Sequence, residues 1–346
     1  MKSAIFVQEK EMAIQNIDMP QLEAEDDVII RLVRASVCGS DLWTYRGTDH
    51  VAHNSENPGH EAIGVIEQIG SAITTVKPGD FVIAPFTHGC GHCAACLAGF
   101  EGGCLSHTDN FSMGYQSEYV RYQHAQWSLI KVPGSPADYT DGMLASLQAL
   151  SDVMPTGYHA ARLAEVKAGD TVAIVGDGAV GQSAVIAAKL RGAKRIIMMS
   201  RHSDRQALAQ EFGATDIVEE RGDAGVQKVM ALTQGAGVDA VLECVGTSLA
   251  TETALQLGRP GAIVGRVGVP HGEKLDLGDF FMRNVIIAGG PASVTTYVKG
   301  GLLKAVLDGV INPGKIFTST FHLDDIQAAY AAMDERRAIK SLITFD

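Results

Sequence analysis

The sequence predicts an α/β chain in two parts: a doubly wound parallel sheet in the second half, and a smaller antiparallel β-barrel built from the first part and completed by the C-terminal segment. Three observations predict it. The run TVAIVGDGAVG from Thr171 ends in three glycines and re-emerges as an apolar helix pattern. After it, short β-type runs alternate with helical ones; before it, β-type runs follow one another between charged, glycine- and proline-bearing turns.

The glycine run sets the second part. Gly176, Gly178 and Gly181 fit Gly-x-Gly-x-x-Gly, in which the first glycine makes the turn, the second lets a pyrophosphate approach the backbone and the third lets helix and strand pack closely. Ala179 and Val180 open the following helix, whose first N–H groups face an anion. The spacing alone also fits an ordinary tight turn, and the continuation favours a nucleotide. AVGQSAVIAAKLRGA reads as a small-residue helix, RIIMMS (195–200) as a second strand, and Ser203-x-x-Gln206 as a capping box opening a helix that Gly213 closes. Further strands fit 216–218, 239–243, 262–267 and 285–288, giving six strands of a Rossmann sheet.

In the first part, SAIFV, MAIQNID and DVIIRLVRAS alternate as strands do, and glycine and proline punctuation continues through Gly64-Val65-Ile66 and Lys77-Pro78-Gly79-Asp80-Phe81-Val82. VKPGDFVIA (76–84) echoes VKAGDTVAIV (166–175) and reads as one turn-into-strand device used twice. Residues 145–165 read as a helical run interrupted by Pro155 that leads from barrel to sheet. The C-terminal segment passes a helix over 297–307 and ends in a strand-like 339–345 that returns to the barrel.

The chain has 346 residues, enough for about two domains with their own cores. A net charge of −12 argues against a nucleic-acid or anionic-membrane surface. The first residues break their apolar run with Gln, Glu and Lys too early for a signal peptide, and no stretch is apolar for long enough to span a bilayer. A cytoplasmic enzyme acting on a small molecule is the expectation. Six cysteines, four of them between positions 90 and 104, then indicate metal rather than disulfides.

Cys38-Gly39-Ser40-Asp41 closes the third strand run, and Gly59-His60-Glu61 follows. Thiolate and imidazole are preferred zinc ligands. Each also has a plainer reading, Cys38 as a small buried hydrophobe and His60 as a satisfied histidine. Their neighbours add weight: Asp41 could hold the far nitrogen of His60, and Glu61 could approach a metal from behind. Cys90, Cys93, Cys96 and Cys104 are spaced by two, two and seven residues and could close a tetrahedron around zinc with no open position. Two disulfides or an iron–sulfur cluster are the rival readings. His92 and His107 read as spectators, and Cys244 as a buried thiol near the cofactor.

Together these motifs resemble the zinc-dependent medium-chain alcohol dehydrogenases, and the resemblance extends over the whole chain. It implies a GroES-like catalytic domain over 1–152 and 290–346, with a structural-zinc lobe at 88–106 formed by the four cysteines, and an NADP-binding Rossmann domain over 153–289. It also implies a catalytic zinc held by Cys38, His60 and Asp152, with Asp41 as the partner of His60 and Glu61 as a carboxylate able to exchange with water on the metal. Asp152 is implied as the third ligand by SDVMPTGYH (151–159); without the family pattern it reads as a solvated or helix-capping aspartate. Ser40 matches the hydroxyl that receives the alcohol proton. Trp43 stands where several relatives have a relay histidine, so His50, His53, or the cofactor ribose with water would carry the proton onward. Trp43 itself is barrel core or a wall of the substrate pocket, the latter favouring apolar or aromatic alcohols. Lys340 falls where a cation meets the cofactor pyrophosphate, or else is a surface lysine.

The end of the second Rossmann strand bears on the cofactor. A site for NAD carries an acid there, whereas this chain has Ser200-Arg201-His202 with Arg205 following. A hydroxyl and two guanidinium groups suit a phosphate dianion, which points to NADP(H). The expected activity is reversible hydride transfer between NADP(H) and a primary or secondary alcohol and its carbonyl, in a homodimer or homotetramer. A polyol or amino-alcohol dehydrogenase of the same superfamily and a catalytically silent NADP(H)-binding protein are the alternatives.

Overall fold

Val28–Ser36 (VIIRLVRAS) buries Val28, Ile29, Ile30 and Leu32 while Arg31 stays exposed, and this apolar, β-branched run makes it the strand on which the first part is built. The computed structural model describes residues 1–48, 57–107, 111, 113–270 and 277–345. They fall into two compact units, Met1–Asp152 with Ser293–Asp346, and Val153–Ala292.

In the first unit, β1 (Lys2–Gln8) and β2 (Glu11–Asn16) form an antiparallel hairpin. β3 (Val28–Ser36) pairs antiparallel with both β4 (Ala62–Ile69) and β6 (Tyr119–Tyr122). β4 pairs with β5 (Phe81–Ala84), and β5 with β7 (Ile130–Val132). Val28, Ile30, Leu32, Ile66, Val82 and Tyr122 fill the interior of this curved sheet. A second cluster, including Phe6, Leu42, Tyr45, Tyr330 and Ile343, packs the hairpin against the C-terminal helix Ile326–Asp334.

The second unit is the doubly wound sheet that the sequence predicts. β8 (Thr171–Val175), β9 (Arg195–Met199), β10 (Asp216–Val218), β11 (Val238–Glu243), β12 (Gly258–Arg266) and β13 (Ile286–Gly289) are all parallel, in the order β10-β9-β8-β11-β12-β13. That is the Rossmann order, with its switch point beside the first strand. The chain then returns to the first unit through β14 (Phe317–His322) and β15 (Lys340–Thr344), and β15 adds antiparallel to β3, as expected for the terminal segment.

The repeated VK-x-GD turn is one device in both units. Asp80 Oδ2 accepts from the Lys77 N–H at 3.0 Å and Asp170 Oδ2 from the Lys167 N–H at 2.9 Å, so each aspartate closes a turn that feeds a strand.

Three local expectations differ from the structure. The break in the helical run at 145–165 falls at Asp152 (φ −153°, ψ −76°), between Ala149–Ser151 and the helix Val153–Leu163. Pro155 lies inside the first turn of that helix, where a missing N–H costs nothing. The predicted capping box at Ser203 does not form: His202 holds the cap position without a side-chain bond, and Gln206 donates instead to the Ser200 carbonyl at 2.9 Å. The helix expected over 297–307 contains a π-type turn over Val298–Leu302, where Gly301 takes φ +144°.

Small residues let the helix Val153–Leu163 lie directly on Ala179–Leu190. A Cβ at Gly157 would sit 2.5 Å from the Ala184 backbone nitrogen, a contact that side-chain motion cannot relieve. Gly157→Val should therefore destabilise the second unit by about 1–3 kcal/mol. Gly142→Ala, where an added methyl meets nothing within 4 Å, should leave stability unchanged or slightly raised. Urea unfolding midpoints of the two variants check the contrast.

Candidate metal centre and nucleotide loop

Among the described residues, two groups of metal-ligating side chains gather with their ligand atoms within 4.8 Å of one another: Cys38, His60, Glu61 and Asp152, and Cys90, Cys93, Cys96 and Cys104. The chain brings the first group together from three places. Cys38 follows the end of β3, where the Val37 N–H donates to the Ser341 carbonyl at 3.1 Å. His60 and Glu61 precede β4, and Asp152 occupies the irregular residue after Ala149–Ser151.

Asp152 Oδ2 lies 3.5 Å from Cys38 Sγ and 3.4 Å from His60 Nε2. A tetrahedral zinc with bonds of about 2.0–2.3 Å separates its ligand atoms by about 3.3–3.8 Å, so these three atoms fit one ion. On the far side of the imidazole, Asp41 Oδ1 lies 3.4 Å from His60 Nδ1, while its Oδ2 accepts from the Cys38 N–H at 2.9 Å. Asp41 therefore steers both the thiol and the imidazole.

The charges call for a cation. Asp41, Glu61 and Asp152 are all buried here with a thiol, against one lysine. Burial raises the Cys38 thiol pKa, and the charges of Asp152 and Glu61 push it further up. Burial alone would lower His60, but Asp41 and Cys38 and the bonds to both aspartates outweigh it and lift His60 well above its usual value. Asp152, which burial would raise, is drawn well below the carboxylate range by His60 and Lys340. A divalent cation among these atoms would reverse the preference at sulfur and favour thiolate.

Several supporting residues carry no sequence signal. Tyr330 Oη donates to Gln116 Oε1 at 2.9 Å, and Gln116 Nε2 donates to Asp41 Oδ2 at 3.3 Å. Ser36 donates to Glu61 Oε2 and accepts from Gln148 Nε2 at 2.9 Å. The Phe86 ring lies 5.9 Å from the His60 ring and stacks on Phe111 at 6.3 Å, an apolar flank to the centre.

Lys340 requires a correction. It is 0% exposed, and its Nζ donates to Glu61 Oε1 at 2.7 Å and to the Val37 carbonyl at 3.0 Å. Its position on β15, adjacent to β3, directs the ammonium into the barrel unit beside the metal ligands, where it answers a buried carboxylate. It is therefore not a surface lysine. Burial would lower its pKa, but Glu61, Cys38 and Asp152 raise it, so it stays charged.

Ser40 is half-buried at the start of the helix Asp41–Tyr45, and its hydroxyl does not cap that helix. Trp43 is half-buried on the same helix. His50 and His53 lie outside the described residues.

In the four-cysteine lobe, Cys90 Sγ lies 3.9 Å from Cys96 Sγ, and Cys93 Sγ lies 3.8 Å from Cys104 Sγ. Four sulfurs at about 2.3 Å from one zinc stand about 3.8 Å apart, whereas a disulfide is about 2.0 Å long. The separations thus match a tetrahedral ion and not the disulfide reading. Partial burial would raise the Cys90 thiol, but the Ser106 hydroxyl and the N–H groups of His92 and Cys93 bring it down to about 6, while burial pushes Cys96 up to about 12. His107 stacks on His124 at 3.4 Å and is not in the sulfur cluster.

In the second unit the glycine motif takes the geometry that a dinucleotide needs. Gly176 turns the chain with φ +112°. A Cβ at Gly181 would lie 1.7 Å from the Gly176 carbonyl oxygen, whereas one at Gly178 would meet nothing within 4 Å. Gly178 caps the helix Ala179–Leu190 with no side-chain bond, which leaves the first N–H groups for an anion. Ser200 is buried and Arg201 is exposed. Ser200 Oγ donates to Asp177 Oδ2 at 2.8 Å, and Arg205 Nη1 donates to Asp177 Oδ1 at 3.0 Å. An acid therefore does stand beside this corner, supplied by the glycine loop rather than by the end of β9.

Comparisons with known proteins agree with this architecture. The alcohol dehydrogenase GroES-like domain family matches residues 24–134, and the zinc-binding dehydrogenase family matches residues 179–298. The uncharacterized zinc-type alcohol dehydrogenase-like protein AdhB of Bacillus subtilis is 30% identical over 97% of each chain. The NADP-dependent isopropanol dehydrogenase of Clostridium beijerinckii is 32% identical over 90% of each. Among solved structures, the alcohol dehydrogenase TADH of a Thermus species superposes with a TM-score of 0.88 at 27% identity, covering 100% of both chains. The chain belongs to the zinc-dependent medium-chain dehydrogenase/reductase family and is an oxidoreductase of alcohol dehydrogenase type. No described helix is long and apolar enough to cross a membrane.

Removing one partner of the buried Lys340–Glu61 pair should be costly, about 3–5 kcal/mol for Lys340→Met. Adding Glu61→Gln should recover a large part of that loss. Denaturant unfolding of the single and double variants measures both.

Proposed function

We propose that this protein catalyses reversible hydride transfer between NADP(H) and a primary or secondary alcohol and its aldehyde or ketone, with Cys38, His60 and Asp152 holding a catalytic zinc. The observation that carries the reading is the Asp152 carboxylate oxygen, 3.5 Å from the Cys38 sulfur and 3.4 Å from the His60 nitrogen, with Asp41 behind the histidine. When bound, zinc supplies Lewis acidity toward the substrate oxygen, and the nicotinamide gives or takes the hydride.

The chain's own residues do the rest. Asp41 accepts the Nδ1 proton of His60 and so keeps Nε2 free to ligate. Ser40, with its hydroxyl uncommitted to capping, takes the proton from the alcohol. Phe86 and Trp43 give the site an apolar side that excludes water and favours small apolar or aromatic carbonyl compounds over polyols. Glu61, held by Lys340 and Ser36, lies within the ligand cluster as an exchangeable fourth donor. In the second unit, Gly176, Gly178 and the N–H groups of Ala179, Val180 and Gly181 would cradle the pyrophosphate.

NADP(H) is favoured by Ser200, Arg201 and Arg205 at the corner where the ribose would sit, and by the NADP dependence of the isopropanol dehydrogenase relative. The four cysteines would hold a second, structural zinc, ordering a lobe that has little apolar core of its own.

Initial rates with NADPH and NADH across a panel of aldehydes and ketones test the activity. Turnover of apolar carbonyls should be faster with NADPH, and silence with both cofactors in zinc-loaded protein would reject the reading. Cys38→Ala should reduce the rate by about 10³-fold or more, since Lewis-acid stabilisation contributes several kcal/mol, while the fold is retained by circular dichroism. Cys96→Ser should instead remove about one zinc per chain and lower the melting temperature, as expected for a closed structural site.

A further inference from the structure

Asp177 lies between the first two glycines of the nucleotide loop, at a position the dinucleotide motif leaves unspecified. Both of its carboxylate oxygens are engaged by the residues suited to an adenosine 2′-phosphate: Oδ2 by the Ser200 hydroxyl and Oδ1 by the Arg205 guanidinium. The Asp177 and Arg205 side chains are each 12% exposed. The backbone beneath each donor is held as well, because Gln182 Nε2 donates to the Arg205 carbonyl and Gln206 Nε2 to the Ser200 carbonyl, both at 2.9 Å. The pair that would receive a phosphate is thus an anion site already filled by an internal anion.

We propose that Asp177 sets the preference between NADP(H) and NAD(H) by competing with the 2′-phosphate for Ser200 and Arg205. A dianion arriving there must displace the carboxylate or accept a like charge beside it, and either weakens its binding. A ribose that carries hydroxyls meets instead an acceptor already in place, as it does at the acid of an NAD site. Arg201, exposed and next to Ser200, is the cation the phosphate can meet without competition. The chain therefore carries the two determinants in opposition, and their balance fixes the ratio of affinities. This rests on the reading of the second unit as a nicotinamide-dinucleotide site.

Equilibrium binding to the full-length protein tests it, with NADPH, NADH, 2′,5′-ADP and 5′-AMP as probes. Asp177→Asn should tighten NADPH and 2′,5′-ADP about 5- to 50-fold, the scale of one charge-assisted contact, and leave NADH and 5′-AMP unchanged or weaker. Asp177→Ala should shift the ratio in the same direction, and it covers the case in which the asparagine amide turns its donors toward Arg205. Equal changes for phosphorylated and unphosphorylated probes in both variants, or weaker NADPH binding, would overturn the proposal. A wild-type preference for NADH would reject the NADP(H) assignment alone, since the role of Asp177 is read from the shift in the ratio. Binding of none of the four probes would reject both.

Discussion

The first unit is arranged around an excess of buried negative charge. Asp41, Glu61 and Asp152 are placed out of water next to the Cys38 thiol, and among the described residues Lys340 is the permanent cation bonded into this cluster. Carboxylates are not removed from water without compensation, and the surrounding structure supplies it in pieces. A backbone N–H and the Gln116 amide hold Asp41, a hydroxyl and an ammonium hold Glu61, and the His60 imidazole faces Asp152. A divalent cation among sulfur, nitrogen and oxygen would complete the neutralisation. The same concentration of buried negative charge is what would make the cluster bind zinc.

How far the sequence revealed this depends on whether the chemistry lies in neighbouring residues or in distant ones. Three glycines at fixed intervals must turn, admit an anion and pack, so Gly176, Gly178 and Gly181 could be read from spacing alone. The six parallel strands followed from apolar period and breakers. Cys90, Cys93, Cys96 and Cys104 were legible because a tetrahedral ion constrains how far apart its thiolates may be in sequence. Asp152 was reached through resemblance, and the structure brings its carboxylate to the thiol and imidazole. The bond of Lys340 to Glu61 could not be read because the two are 279 residues apart, and no local pattern distinguishes a surface lysine from one that faces a buried acid. Gln116, Ser36 and Tyr330 were invisible for the same reason. The capping box at Ser203 failed because the helix starts one residue earlier than the motif requires, with His202 at the cap, and Gln206 reaches back to the Ser200 carbonyl.

The second unit repeats the theme of anions and their partners at lower stakes. Its glycine loop leaves backbone N–H groups uncapped for a pyrophosphate, while the adenosine corner has its charges paired internally through Asp177 and Arg205. The end of β9 carries serine and arginine, the basis for expecting a phosphate; Asp177, in the glycine loop, accepts from both Ser200 and Arg205, a pairing that no local pattern shows.

We propose that Cys38, His60 and Asp152 form a zinc centre distinct from the four-thiolate lobe. X-ray absorption at the zinc edge of the metal-loaded protein tests it most directly. The expected result is two zinc ions per chain and an average first shell that mixes sulfur with nitrogen and oxygen; substituting Asp152→Asn should alter the nitrogen and oxygen part alone. A single zinc per chain in a shell of sulfur only would contradict it.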